Sequence, residues 1–356
     1  MADVRPFRAV RYARPTEAMT APPYDVIADD ERAALRSRDT HNVAHLTLET
    51  DAAVAGARLR QWLAEGVLAR DESPAVWWLE QDFVGPDGVA RSRRGIVASL
   101  RAEPYSTGAV LPHERTHRVP IEGRLALLRA TRTQLEPIFL LYEGAPPVDG
   151  APPGPPDLEV GGSRLWRLEG DHGVAAAFAD RQLLIADGHH RYETAVEFAA
   201  EDGADRMLAV LVSTDDPGLV VFPTHRVFAG RPDVDPEGEE LASVDEAVAA
   251  LARETHDHAA AVLVRRDATR LVRGGDGELD VELVDRFGHE GIAYTPEQGE
   301  AVRLVESGNA DAALLVRPLQ VADVFERARA GRTLPQKATY FFPKLVSGLL
   351  LHPVDP

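Results

Sequence analysis

The apolar positions of the chain alternate between short continuous runs and helical spacings, the pattern of a mixed α/β protein. Val4 to Val10 reads as a first strand, and Ala21-Pro22-Pro23-Tyr24-Asp25 as a rigid turn. Asp29 to Arg38 has helical spacing with an acidic cap, Asn42 to Leu48 alternates like a strand, and Ala53 to Glu65 forms an amphipathic helix stopped by Gly66. Ala75 to Val84 and Val89 to Leu100 flank Gly85-Pro86-Asp87-Gly88, a hairpin signal. Further on, Leu125 to Thr133 reads as a helix and Pro137 to Tyr142 as a buried strand. The run 144–156 is rich in Pro and Gly and predicts an exposed, mobile connection. After it come strands at Leu165 to Leu168 and Met207 to Ser213 and a helix at Gly173 to Ala179. Val244 to Thr255 predicts a helix, followed by a meander of strands at Ala261 to Arg265, Ala268 to Arg273 and Glu278 to Val284. Pro296 to Ser307 and Val321 to Ala330 close the pattern as helices around a strand at Ala312 to Arg317.

One stretch departs from ordinary patterning. Leu183 to Ala186 is a buried strand, Asp187-Gly188 breaks it, and the residues from His189 onward have helical spacing. Asp187, Gly188, His189, His190 and Arg191 therefore crowd a strand-to-helix turn, where free N–H groups and the helix dipole favour an anion. Arg191 adds a planar fork suited to phosphate, and the two histidines can donate to phosphate or shuttle a proton. The plainer reading makes Asp187 a helix cap and the histidines a solvated first turn.

A second stretch, His113-Glu114-Arg115-Thr116-His117, is a literal His-Glu-x-x-His. On a helix that spacing aligns two histidines as zinc ligands beside a carboxylate that activates water. Pro112 and Pro120 bracket it closely, which leaves two other readings: a loop, or a Glu114 that acts as a general base near the Asp187 turn. His225 and Arg226 repeat similar chemistry after a strand, either as a surface pair or as further phosphate contacts.

Composition narrows the classes. The 356 residues carry a net charge of −18, which opposes nucleic-acid binding, and Arg91, Arg93 and Arg94 are too small a basic group to offset it. With no cysteine, disulfides, thiolate metal sites and a cysteine nucleophile are excluded. No apolar run is long enough to span a membrane and no signal-peptide core is visible, so a cytoplasmic location is expected. Of 39 basic residues only Lys337 and Lys344 are lysines, which marks both as places where a guanidinium will not serve. Nothing in the pattern specifies an oligomer.

The run Ile185-Ala186-Asp187-Gly188-His189-His190-Arg191-Tyr192-Glu193-Thr194-Ala195 resembles the phosphate motif of the ParB/sulfiredoxin-like superfamily. That superfamily includes CTP-binding partition proteins, sulfiredoxin and kinases of free serine. Over nearly its whole length the chain also resembles the DUF1015 family of bacteria and archaea. The matching stretches are Pro23-Tyr24-Asp25-Val26-Ile27, Asn42-Val43 with Leu46, Leu111 to Thr116, the Asp187 motif, Pro223 to Arg226, and Pro335 to Lys344. The resemblance implies a ParB-like core over 105–230, flanked by α/β segments over 1–104 and 231–356. It further implies ATP or ADP with Mg²⁺ as cofactors and phosphoryl transfer to a small hydroxyl metabolite such as serine. Glu114, Asp187, His190 and Asp25 are then the candidate catalytic groups. Gly188, His189, His190, Arg191, Thr116, His225, Arg226, Lys337 and Lys344 are the candidate nucleotide contacts, with no dedicated protein metal site. A nucleotide-binding switch without catalysis is the alternative, and a zinc hydrolase built on His113, Glu114 and His117 a third.

Overall fold

The computed structural model describes residues 1–355 and shows a mixed α/β protein. Its contacts divide the chain into two compact units: one of Met1–Leu219 with the segment from Pro343 onward, the other Val220–Phe342.

The first unit is built on a nine-stranded mixed sheet. Along its path lie Val110–Leu111, Leu183–Asp187, Ile138–Tyr142, Arg206–Ser213, Ala90–Arg101, Ala75–Val84, Ser163–Glu169 and Leu158–Val160, with Val4–Arg5 beside Ala90–Arg101. Ile138–Tyr142 runs parallel to Arg206–Ser213 and antiparallel to Leu183–Asp187. All three read as continuous apolar runs because both faces of the sheet are covered. One face packs Val76, Trp78, Ile96, Leu140, Ile185 and Tyr192 into the main core. On the other, Leu79, Val97, Leu165 and Leu208 meet Leu345, Leu349 and Leu350 of the returning C-terminal segment.

The second unit holds a six-stranded sheet in the order Glu239–Glu240, Thr269–Asp276, His258–Val264, Ala312–Leu315, His225–Phe228, Ile292–Thr295. Apolar clusters lie on its two faces, one with the helices Val244–Leu251 and Gln298–Glu306, the other with Asp280–Asp285.

These units do not follow the expected boundaries at 104/105 and 230/231. The Ala75–Arg101 hairpin lies in mid-sheet beside Arg206–Ser213, so residues on both sides of the first boundary share one core. The strand His225–Phe228, placed before the second boundary, pairs inside the second unit.

Two local expectations are corrected. Residues 42–48 are not a strand: Asn42 accepts from the Ala44 N–H at 2.8 Å and donates to the Ala18 and Thr20 carbonyls, which starts a helical turn at Ala44–Thr47. The Val- and Leu-rich run after Glu278 is the helix Asp280–Asp285, because Glu282 reaches back to the Leu279 N–H at 2.9 Å and caps it. The connection 144–156 has no buried residue, in keeping with its expected exposure, and it touches the fold where Trp166 Nε1 donates to the Gly154 carbonyl at 3.1 Å and Val148 packs against the core.

Candidate functional site

Asp187 ends its strand at a bulge, where the register with Ile138–Tyr142 shifts between Ile185 and Asp187, and the irregularity re-aims its side chain. Gly188 follows at φ 101°, a conformation only glycine adopts easily, and an added Cβ there would lie 2.9 Å from Ile138 and 3.1 Å from the Arg191 guanidinium. The helix His189–Asp202 then begins without any side-chain cap. The Asp187 carboxylate is therefore not the cap of the plainer reading. One of its oxygens accepts from Lys344 Nζ and the other from Arg191 Nη2.

That arrangement sets the electrostatics. Burial alone would raise the Asp187 pKa, but Lys344 and Arg191 outweigh it and hold the carboxyl below the usual carboxylate range. Arg191 is itself buried and also donates to the Pro137 carbonyl, with Asp25 Oδ2 at 3.9 Å from its Nη2. Burial would lower its pKa, yet Asp187, Asp25 and Glu136 carry it above its ordinary value. Asp25, from the turn Tyr24–Val26, thus reaches the Asp187 centre as expected, one-third exposed.

The histidines are tied to a distant loop through one ring nitrogen each. His189 Nε2 accepts from the backbone N–H of His113 at 3.2 Å and, more weakly, from that of Glu114 at 3.4 Å. His190 Nε2 accepts from the His117 N–H at 3.0 Å. With Nε2 accepting in each ring, the neutral tautomer carries its proton on Nδ1, so both rings pin the 112–117 loop over the first turn of the helix and keep one N–H each. Thr116 joins them by donating to Glu193 at 2.7 Å, which turns its hydroxyl to the helix. Burial, with a smaller contribution from His113, pushes the His189 pKa well below 6.5, and burial takes His113 down to about 4.

Acidification is therefore expected to free this loop. Both rings favour the neutral form in the folded chain, so their stabilisation is complete above about pH 6.5 and declines as pH falls. For each ring the slope approaches about 1.4 kcal/mol per pH unit until its folded pKa is reached. Hydrogen exchange at the His113, Glu114 and His117 amides, corrected for intrinsic rate, is expected to accelerate between pH 7 and pH 5; equal protection at both would contradict the pinning.

His113 and His117 do not make a zinc site. Residues 113–117 are loop rather than helix, so the four-residue spacing does not align the rings. His113 is fully buried edge-on to His189, at 4.6 Å between centroids, while His117 stacks loosely on His190 at 6.2 Å. Among the described residues no three His, Asp or Glu side chains are grouped to hold a metal. The helix that follows runs Arg118–Thr131 and takes Pro120 into its first turn, where a missing N–H costs nothing.

Two supporting groups escaped the sequence reading. Glu136 is buried and accepts from the Tyr24 N–H at 2.9 Å and the Ser347 hydroxyl at 3.0 Å, and burial raises its pKa. Arg93 is buried with Nη2 donating to Gln81 at 2.6 Å and the Pro343 carbonyl at 2.9 Å, its guanidinium 4.5 Å from the Phe139 ring. Phe139 is the register partner of Asp187, so Arg93 fixes the segment that delivers Lys344. A charged residue just ahead of a continuous apolar run was the available signal for Glu136; for Arg93 there was only its place in a strand.

Arg191 and Lys344 thus lie on Asp187 with Asp25 beside Arg191, while Glu114 and Thr116 are tied to the start of the following helix through His189 and Glu193. His225, Arg226 and Lys337 belong to the second unit, where Lys337 is exposed at φ 57°.

No curated protein matches the sequence. Among solved structures, the chain is similar to a conserved hypothetical protein from Pyrococcus furiosus at 17% identity and a TM-score of 0.37, over 68% of this chain and 92% of that one. It is similar to a free serine kinase in complex with AMP at 17% identity and a TM-score of 0.40, over 68% and 89%. SbnI with a C-terminal truncation, from Staphylococcus aureus, is similar at 13% identity and a TM-score of 0.42, over 72% and 87%. The family described as protein of unknown function, DUF1015, matches residues 4–299. That span takes in the Tyr24–Asp25 turn, the 112–117 loop, the Asp187 motif and the Pro223–Arg226 stretch, and the chain belongs to the DUF1015 family.

Proposed function

We propose that the chain is a nucleotide-dependent phosphotransferase acting on a small hydroxyl metabolite, free serine or one like it. The observation that carries this is the pairing of Lys344 and Arg191 on Asp187 at the uncapped start of a fourteen-residue helix. Phosphoryl transfer asks a protein chiefly for positioned positive charge and a base on the acceptor hydroxyl. Lys344, Arg191 and the free N–H groups of the first turn supply the former and suit a nucleotide phosphate. Asp187 has both oxygens engaged by cations and serves as their anchor. That leaves Glu114, about a quarter exposed beside His113, and Asp25 as the carboxylates able to take the acceptor proton. Mg²⁺ would be held largely by the phosphates. The acceptor class rests on the likeness of Asp187 to Arg191 to the motif of free-serine kinases.

The test is ³¹P NMR of the pure protein with Mg²⁺ and ATP or ADP, with and without L-serine. A phosphomonoester signal that requires serine is expected, and Glu114→Gln is expected to slow it by about 10²–10⁴-fold. Turnover unchanged in that variant would move the base to Asp25. The engagement of both histidines by the loop favours a second reading, a nucleotide-binding switch; line broadening of the nucleotide without product under any acceptor would select it.

A further inference from the structure

The second unit holds a guanidinium out of water without a full set of acceptors. Arg226 lies on the strand His225–Phe228, between Ile292–Thr295 and Ala312–Leu315, and is 1% exposed. Its Nη1 donates to the Thr224 carbonyl, which folds the guanidinium back against that residue. Nη2 of Arg226 and the hydroxyl of Thr224, both buried, have no hydrogen-bond partner among the described residues. Buried polar groups are almost always satisfied, and a buried cation more strictly than most, so two orphans on adjoining side chains call for an acceptor from outside the chain.

His225 is not part of this pair. Neighbouring residues of a strand face opposite sides, and His225 Nδ1 accepts from the Val316 N–H at 3.2 Å. Burial takes its pKa to about 4, which leaves a neutral ring bonded to the backbone through Nδ1. On the Arg226 side the neighbours form a small network. Tyr294, its register partner, holds its ring 5.4 Å from the guanidinium carbon. The Tyr294 hydroxyl lies 2.9 Å from His289 Nδ1, and His289 Nε2 lies 3.3 Å from Asp285. Tyr294 is half-buried and His289 exposed.

We propose that Thr224 and Arg226 form an oxyanion-binding site in the second unit, for the carboxylate or phosphate end of a small molecule, with Tyr294 beside it. The two free N–H groups of Nη2 and the hydroxyl proton are three donors beside a fixed positive charge, with the hydroxyl oxygen as acceptor, a set that favours an anion over an amine. The site stands whether or not the Asp187 centre transfers a phosphoryl group.

The test uses the full chain labelled with 3-fluorotyrosine, which gives seven ¹⁹F resonances, with Tyr294→Phe assigning the one that matters. Inorganic phosphate and acetate are titrated separately at constant ionic strength in NaCl. A saturable shift of the Tyr294 resonance is expected with one anion or both, and the stronger response tells phosphate from carboxylate. Thr224→Val, nearly isosteric, is expected to weaken it at least tenfold, and Arg226→Met to abolish it, while Lys344→Met keeps it. A Tyr294 resonance that ignores both anions, or moves equally with NaCl alone, would overturn the proposal, since the orphan donors would then be served by water. A response that survives Thr224→Val undiminished would overturn it as well, and this variant carries the test should Arg226→Met fail to fold.

Discussion

Lys344→Met is expected to remove about 10²–10³-fold of any phosphoryl transfer by the Asp187 centre while leaving a folded protein. The ammonium is delivered by a specific device: Arg93 holds the Pro343 carbonyl, and the next residue reaches Asp187. Methionine keeps an unbranched apolar stem one atom shorter and removes the ammonium. Arg191 remains to neutralise Asp187, so the fold is expected to survive, with loss concentrated in stabilisation of charge on a transferring group. Lys344→Arg should not restore activity, because a planar fork cannot occupy the place of a compact ammonium against one carboxylate oxygen. The measurement is steady-state turnover beside selective ¹³C labelling of lysine, which yields two side-chain signals in the wild type and one in the Met variant. Full turnover in Lys344→Met would place the phosphate contact elsewhere.

Asp187→Ala is expected to have the larger effect on stability. It leaves Arg191, which is buried, and Lys344 without their shared counter-ion, and breaking a buried pair from one side costs about 3–5 kcal/mol. The pH dependence follows from the direction of the Asp187 shift. Its folded pKa lies below the unfolded value, so the wild type gains its full contribution above about pH 4 and loses it as pH falls through the folded value. The gap between wild type and variant in urea unfolding should therefore be constant from pH 7 to about pH 5 and close only under strong acid. A gap that narrows between pH 7 and pH 5 would assign the stabilisation to the histidines instead.

Much of this centre was legible because its parts are local. The strand, the glycine break and the helix after it follow from adjacent residues, and the scarcity of lysine singled out Lys344. What the ring nitrogens do was not legible. Whether His189 donates or accepts depends on backbone N–H groups more than seventy residues away, brought there by the fold. Glu136 and Arg93 were hidden for the same reason, since burial gives each its role and their partners come from distant segments. The residues read as one pair, His225 and Arg226, show the opposite failure: adjacency in a strand sends side chains to opposite faces. The misread stretches, 42–48 and 280–285, are places where side-chain capping overrode strand propensity.

The return of the chain from Pro343 to the first unit has a consequence for biosynthesis. Leu345, Leu349 and Leu350 cover one face of the first sheet, and Lys344 neutralises its buried carboxylate, so neither task can be done until the entire second unit has left the ribosome. During translation the first unit waits with an open apolar face and a half-compensated aspartate, whereas the second, continuous from Val220 to Phe342, can close as it emerges. A chain broken off anywhere before Lys344 would thus lack one of the two cations paired with Asp187.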